Sequence, residues 1–396
     1  MQSIGKPREP PPAGSDFPFL SELVALRREI HAHPELAFHE HRTAGLVARE
    51  LARYGLVVHR GLAKTGVVGL LKAGTRDRMI GLRADMDALP LTECNDFAHA
   101  STVPGCMHAC GHDGHTAMLL GAARHLAAHP RFDGTVAFIF QPAEESEGGA
   151  KVMIEDGLFR KFPVEAVYGL HNWPGLPAGK MAVRSGPVMA STNRFEIAVH
   201  GRGGHAAMPH LATDAIVAGS SLVGALQTIV ARTLHPAEAA VVSVTQFHAG
   251  SAWNILPETA HIQGTIRTFK PEVQAEIEQA ILRLARGVAA AYDATAEVSF
   301  LHCYPPTINT PAETAVCQEA ARDVLGAENV DDQALPSMAA EDFAFMLREK
   351  PGCYVWLGNG SSAGECALHN PRYDFNDDIL PVGMRYWVRL VERLLG

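Results

Sequence analysis

The sequence lacks long runs of one charge, long apolar stretches and a paired set of cysteines. Lys and Arg total 34 against 43 Asp and Glu, a formal charge of −9, with no basic tract anywhere. That balance excludes nucleic acid and anionic membrane surfaces as main partners. No apolar run approaches the ~20 residues needed to cross a bilayer. The seven cysteines are odd in number and scattered over 396 residues, so a disulfide framework is not expected. Met1–Asp16 is rich in Pro, Gly and charge and has no apolar signal core, which predicts a cytoplasmic protein. Hydrophobic residues at 47% and charged residues at 19% describe a folded globular chain. At ~150 residues per domain the length predicts two or three domains. What the chain has in excess is histidine, twenty in all.

Residues 1–18 read as a flexible arm. Helices are expected at Leu20–Ile30 and at Thr43–Tyr54, the second stopped by Gly55. Short apolar strands then alternate with helices: Val67–Leu71, Met79–Leu82, the helix Thr116–Ala128, Val136–Phe140, the helix Gly149–Ile154, and Ala166–Leu170. This is the pattern of an α/β fold, a mixed sheet with helices on both faces. From residue 187 the order changes to β-α-β-β-α-β, the ferredoxin-like α+β unit. It includes helices at Asp214–Ala231 and Pro271–Ala291. The α/β rhythm resumes after Pro305. The predicted architecture is therefore one domain of residues 19–186 and 304–396, interrupted by an inserted domain of residues 187–303.

Four segments carry the chemistry. Met107–His115 packs a thiol, three imidazoles and a carboxylate into nine residues. Glu144–Glu145 follows an apolar strand, His171 ends another, and His369 lies near the C-terminus. In α/β sheets such strand ends line the ligand site, so the four could meet at one rim. Cys110, His112, Glu145, His171 and His369 offer the S, N and O donors that divalent transition metals prefer. Five protein donors exceed what one catalytic zinc takes, so two neighbouring ions fit better. Such a pair lowers a water's pKa and polarises a carbonyl. Glu144 and Glu145 point different ways, so one can bind metal while the other serves as general base. Lone histidines such as His31, His59 and His129 read as surface or satisfied side chains. Cys94, Cys106, Cys303, Cys317, Cys353 and Cys366 read as packing residues.

These stretches, with Leu82–Pro90, Gly203–His210, Gly264–Arg267, Glu341–Phe343 and Leu368–Asp377, resemble a known family over nearly the whole chain. It is the amidohydrolase branch of the aminoacylase and carboxypeptidase-type metallopeptidases. That branch includes hippurate hydrolases, N-acyl-amino-acid amidohydrolases and plant auxin-conjugate hydrolases. The resemblance implies a zinc-peptidase-like catalytic domain holding two divalent ions (zinc, manganese, cobalt or nickel) that hydrolyses the amide of an N-acyl amino acid. Carried over by position, Cys110, His112, Glu145, His171 and His369 bind the metals and Glu144 is the base and proton shuttle. The inserted domain dimerises, giving a homodimer or homotetramer, and acts as a lid. His205 donates to the oxyanion, often that of the partner subunit, and Asn254 and Arg267 hold the substrate carboxylate. Asp85 orients a ligand from behind. One departure is Arg83, which stands two residues before Asp85 where the wider superfamily often has His. That position therefore supplies no metal ligand. Two other functions remain open: a dipeptidase or carboxypeptidase using the same metals, and a metal-binding scaffold without catalysis. The intact Glu144–Glu145 pair argues against the scaffold.

Overall fold

The computed structural model of the protein describes residues 17–145, 148–360 and 367–396. The chain forms two compact units. One comprises residues up to Gly186, Asn309–Ala334 and Met346–Gly396; the other comprises Pro187–Ile308 and Leu335–Phe345. The second unit thus runs past the expected boundary at residue 303. It also takes in a segment expected in the 304–396 half. Ser337 is the reason: its N–H donates to the Val188 carbonyl at 2.9 Å, and its own carbonyl accepts the Ala190 N–H at 3.0 Å. A pairing across so many residues leaves no local trace in the sequence.

Of the arm expected at residues 1–18, Met1–Asp16 lies outside the described residues, as does Cys366. Phe17 is not part of a free arm. It is 2% exposed and packs with Phe19, Leu23 and Met384.

In the first unit eight strands form one mixed sheet. Their order is Val57–Leu62, Gly66–Ala73, Gly134–Gln141, Met79–Asp85, Ala166–Trp173, Gly352–Gly358, Met181–Ala182 and Val330–Asp331. The four strands from Gly134–Gln141 through Gly352–Gly358 run parallel. Every residue of Gly134–Gln141 and of Gly352–Gly358 is buried, as strands covered on both faces require. On one face Leu82, Phe138, Leu170 and Val355 join a core with Leu119, Cys317 and Leu390. Those three belong to the helices His112–Ala128, Pro311–Leu325 and Leu380–Leu395. On the other face Met153, from the helix Gly149–Glu155, packs over Gly66. The Val57–Leu62 strand has no counterpart in the predicted elements. It is an edge strand whose mostly exposed residues hide the two-residue alternation.

The second unit has a four-stranded antiparallel sheet in the order Ala240–Ala249, Thr259–Thr268, Thr192–His200, Thr295–Tyr304. With its helices Ala215–Leu226 and Pro271–Ala291 it follows β-α-β-β-α-β, the ferredoxin-like order. Phe195, Ile197, Ile262 and Ile266 pack on Leu222, Ile277 and Ile281. The helix expected over Asp214–Ala231 is shorter. Asp214 caps it by accepting the N–H groups of Ile216 and Val217, and the chain then passes into a separate segment, Ile229–Thr233. No helix among the described residues is long and apolar enough to cross a membrane.

Candidate metal centre

The carboxyl ends of the parallel strands position most of the functional side chains. Met79–Asp85 ends in Asp85 and runs on to Asp87, Gly134–Gln141 leads into Glu144 and Glu145, and His171 lies near the end of Ala166–Trp173. Cys110 and His112 come from the loop that opens the helix His112–Ala128. That helix starts a full turn before the expected Thr116, because His112, Asp113 and His115 are buried in the site instead of solvated. Gly111 sits at φ +88°, and a Cβ there would collide with the Asn172 side chain and the Tyr373 hydroxyl. Only glycine makes that turn without strain. Ala143 (φ 57°) and His369 (φ 64°) adopt the same left-handed backbone. Such strain, of order 1–3 kcal/mol per residue, collects at functional sites.

The donor atoms converge. Cys110 Sγ lies 3.5 Å from His171 Nε2, and His369 Nε2 lies 3.2 Å from Glu145 Oε1. Ligand atoms of Cys110, Glu145 and His369 fall within 4.8 Å of one another, as do those of His112, Glu144 and Glu145. The same holds for Asp85, His112, His115 and His171. The seven candidates of the first unit (Asp85, Cys110, His112, Glu144, Glu145, His171 and His369) are therefore brought together.

The electrostatics fit a cation. Burial, joined by the charges of Glu145, Glu144 and Asp85, pushes the Cys110 thiol well above its usual range. Burial would push His112 down, yet Asp85 and Asp87 outweigh it and hold it at about 10. His171 is driven down by burial and by neighbouring His115, so its ring stays neutral. His112 Nε2 is buried with no hydrogen-bond partner among the described residues. An orphaned imidazole nitrogen, a suppressed thiolate and crowded carboxylates are all relieved by a divalent ion.

Several supporting residues escape the sequence pattern, which offers them no distinction. Asp87 is the foremost. Its Oδ1 lies 3.2 Å from His112 Nδ1 and its Oδ2 accepts the Glu145 N–H at 2.9 Å. Asp85 itself is held by Arg83 Nη1 at 2.8 Å and by His115 Nδ1 at 2.6 Å. Arg83, at the departure from the wider superfamily, is thus a buried counter-ion. Replacing Asp87 by alanine is expected to weaken metal affinity about 10- to 100-fold, measurable by competition with a chromogenic chelator.

His31 proves to be a buried ionic partner. It lies 2.9 Å from Asp113 and 3.2 Å from Glu93, while Arg27 reaches Asp113 at 3.2 Å and Asp374 and Asp377 at 2.8 Å. Burial lowers the His31 pKa, but Asp113 and Glu93 overcome it and hold it up at about 9. A raised histidine stabilises the fold fully below its unfolded pKa of ~6.5 and loses that contribution as pH climbs through its folded value. Thermal stability should therefore fall between about pH 6.5 and 9, by about 3 kcal/mol at most. Melting curves of His31→Gln should be lower at pH 7 and flatter across that window.

The second unit carries the other three candidates. His205 and Asn254 lie on one short ribbon, where Ile255 pairs with His205 and the Asn254 carbonyl accepts the Ala206 N–H at 3.1 Å. Both line a cleft of about 510 Å³. The Ala207 N–H donates to His205 Nδ1 at 3.0 Å, which leaves the proton on Nε2 as an outward donor. Arg267 lies on a separate element, the Thr259–Thr268 strand, half-buried and with its pKa lowered by that burial.

An α/β unit with this donor cluster at the ends of its four parallel strands has the frame of a metal-dependent hydrolase. More particularly, the chain belongs to peptidase family M20/M25/M40, whose profile matches residues 81–393. It is 43% identical to hippurate hydrolase of Campylobacter jejuni subsp. jejuni over 374 residues, covering 94% of this chain and 97% of that one. An N-acetylcysteine deacetylase of Bacillus subtilis is 38% identical over 95% of this chain and 97% of its own. Among solved structures, a Bacillus subtilis protein described as a dinuclear metal-binding peptidase from the M20 family superposes with a TM-score of 0.84. It is 36% identical and the match covers 95% and 98% of the two chains.

Proposed function

We propose that the protein hydrolyses N-acyl amino acids to a carboxylic acid and a free amino acid, using two divalent ions held by Cys110, His112, Glu145, His171 and His369. The observation that carries this reading is the donor cluster, buried except at its His369 edge, with a second carboxylate, Glu144, beside the ligand set. When bound, the ions supply a lowered water pKa and Lewis acidity toward the acyl carbonyl. Glu144 takes the proton of the attacking water and passes it to the leaving amine. Asp87 and Asp85 fix the orientation of His112 and His115. His205 donates through Nε2 to the developing oxyanion, and Asn254 and Arg267 receive the substrate carboxylate. Zinc suits the Cys110 thiolate, while manganese, cobalt or nickel fit the imidazoles and carboxylates.

The reading extends to residues 187–303 as a dimerisation domain and lid, and to a cytoplasmic location. Support for self-association is an exposed apolar patch around His205. Trp253 is 95% exposed, with Met208, Leu211 and Ile255 at 49%, 60% and 57%, and such patches mark contact surfaces. Light scattering that finds a monomer at micromolar concentration contradicts it. The test of the reaction is a matched panel of N-acetyl and N-benzoyl amino acids against dipeptides. Cleavage confined to the dipeptides moves the enzyme to the peptidases.

A further inference from the structure

The segment just before Glu144 is held by a residue that the reaction above does not use. Glu40 immediately precedes the helix His41–Arg53, and it is fully buried. Its Oε1 accepts two backbone N–H groups, from Ala143 at 2.9 Å and from Phe38 at 3.1 Å. Its Oε2 accepts the Thr65 hydroxyl at 2.6 Å. One carboxyl group therefore ties its own loop to two others, at Thr65 and at Ala143.

These loops carry four residues in the left-handed region that non-glycine residues seldom adopt. They are Phe38 (φ 61°), Ala63 (φ 47°), Lys64 (φ 67°) and Ala143 (φ 57°). Each either donates to Glu40 or stands within two residues of a donor. Backbone of this kind persists only where its surroundings over-determine it. At Ala143 they do. Its N–H is held by Glu40, and its carbonyl accepts the Gly149 N–H at 2.9 Å. A Cβ on Gly149 would collide with the Pro142 carbonyl, so that closure requires glycine. Glu144 follows Ala143 directly, and the Ala143 dihedrals set the direction in which its side chain leaves the strand end.

Burial, partly offset by the Thr65 hydrogen bond and joined by the charge of Asp87, raises the Glu40 pKa to about 7. The protonated and ionised forms both keep Oε1 as an acceptor. Reach, rather than a fixed negative charge, is what the loops take from this residue.

We infer that Glu40 is a positioning residue for catalysis, which holds Ala143 in its left-handed turn and so aims the Glu144 carboxylate at the attacking water. The inference rests on Glu144 serving as the base. It is tested with the full-length, metal-loaded enzyme on N-benzoylglycine. Glu40→Asp keeps the carboxylate but is one methylene short of the Ala143 N–H. Its kcat should fall about 10- to 100-fold, the cost of misplacing a catalytic group by about 1 Å. KM and bound metal should stay as in the wild type. Glu40→Gln drops the charge but keeps the Oε1 acceptor, and its amide can donate to the Thr65 oxygen, so kcat should remain within about threefold of wild type. Adding Ala143→Gly to Glu40→Asp should recover at least about threefold of the lost kcat, because glycine adopts the left-handed turn without strain. A merely structural loss would not respond to that second change.

Wild-type kcat in Glu40→Asp overturns the inference. So does a Glu40→Gln variant as impaired as Glu40→Asp, or a loss of activity that follows a loss of metal. Glu144→Gln measured alongside separates the two readings. If it stays within about tenfold of wild type, the base falls and the inference with it. If it is nearly inactive while Glu40→Asp is not, only the inference falls.

Discussion

Glu144→Gln should lower kcat by about a thousandfold, roughly 4 kcal/mol of barrier, with the metal content unchanged. The geometry around the residue makes the expectation specific. Ala143, just before it, is locked in the left-handed region, with its N–H donated to Glu40 at 2.9 Å. Glu145, just after it, donates its own N–H to Asp87. The backbone is therefore fixed on both sides, and glutamine, nearly isosteric, should occupy the same place without moving the donor set. It cannot take a proton from water. Single-turnover cleavage of N-benzoylglycine with metal analysis on the same sample checks this, and a variant within tenfold of wild type removes Glu144 from the role of base.

The second large effect is expected at the thiol. Cys110→Ala should reduce bound metal from two equivalents to about one and bring activity below ~1% of wild type. Burial and the surrounding carboxylates oppose ionisation of Cys110 in the metal-free protein, so metal binding there must release a proton. The affinity of the wild-type site should consequently rise with pH, while that of the variant should rise less. Bound metal also stabilises the native state in proportion to its affinity. Chelation should therefore lower the melting temperature of the wild type more than that of Cys110→Ala. Equal metal content and equal chelator sensitivity in the two proteins would contradict the ligand assignment.

Much of the site was legible because it follows strand ends. Glu144–Glu145 and His171 each stand at the end of an apolar run, and Cys110-Gly111-His112 concentrates donor types that a core seldom uses together. The α/β pattern and the β-α-β-β-α-β insertion were legible for a similar reason, since their elements are long and periodic. What stayed hidden depends on tertiary partners. Asp87 differs from any other acid only by the His112 nitrogen it faces. His31 has the sequence context of a surface-helix histidine, and its ionic role comes from Asp113 and Glu93, both distant along the chain. The start of the His112–Ala128 helix was obscured because its polar first turn is buried around a cluster of donors. Leu335–Phe345 joins the second unit through backbone pairing that no local pattern announces.

The central claim, that the donor cluster makes this chain a two-metal amidohydrolase, is tested most directly by titration. Metal-free protein would receive zinc or manganese in sub-stoichiometric steps while N-benzoylglycine cleavage and bound metal are followed together. Activity should be absent at the start and reach its plateau as the second equivalent fills. Full cleavage by metal-free protein, or saturation at two equivalents with no cleavage of any N-acyl amino acid, would contradict it.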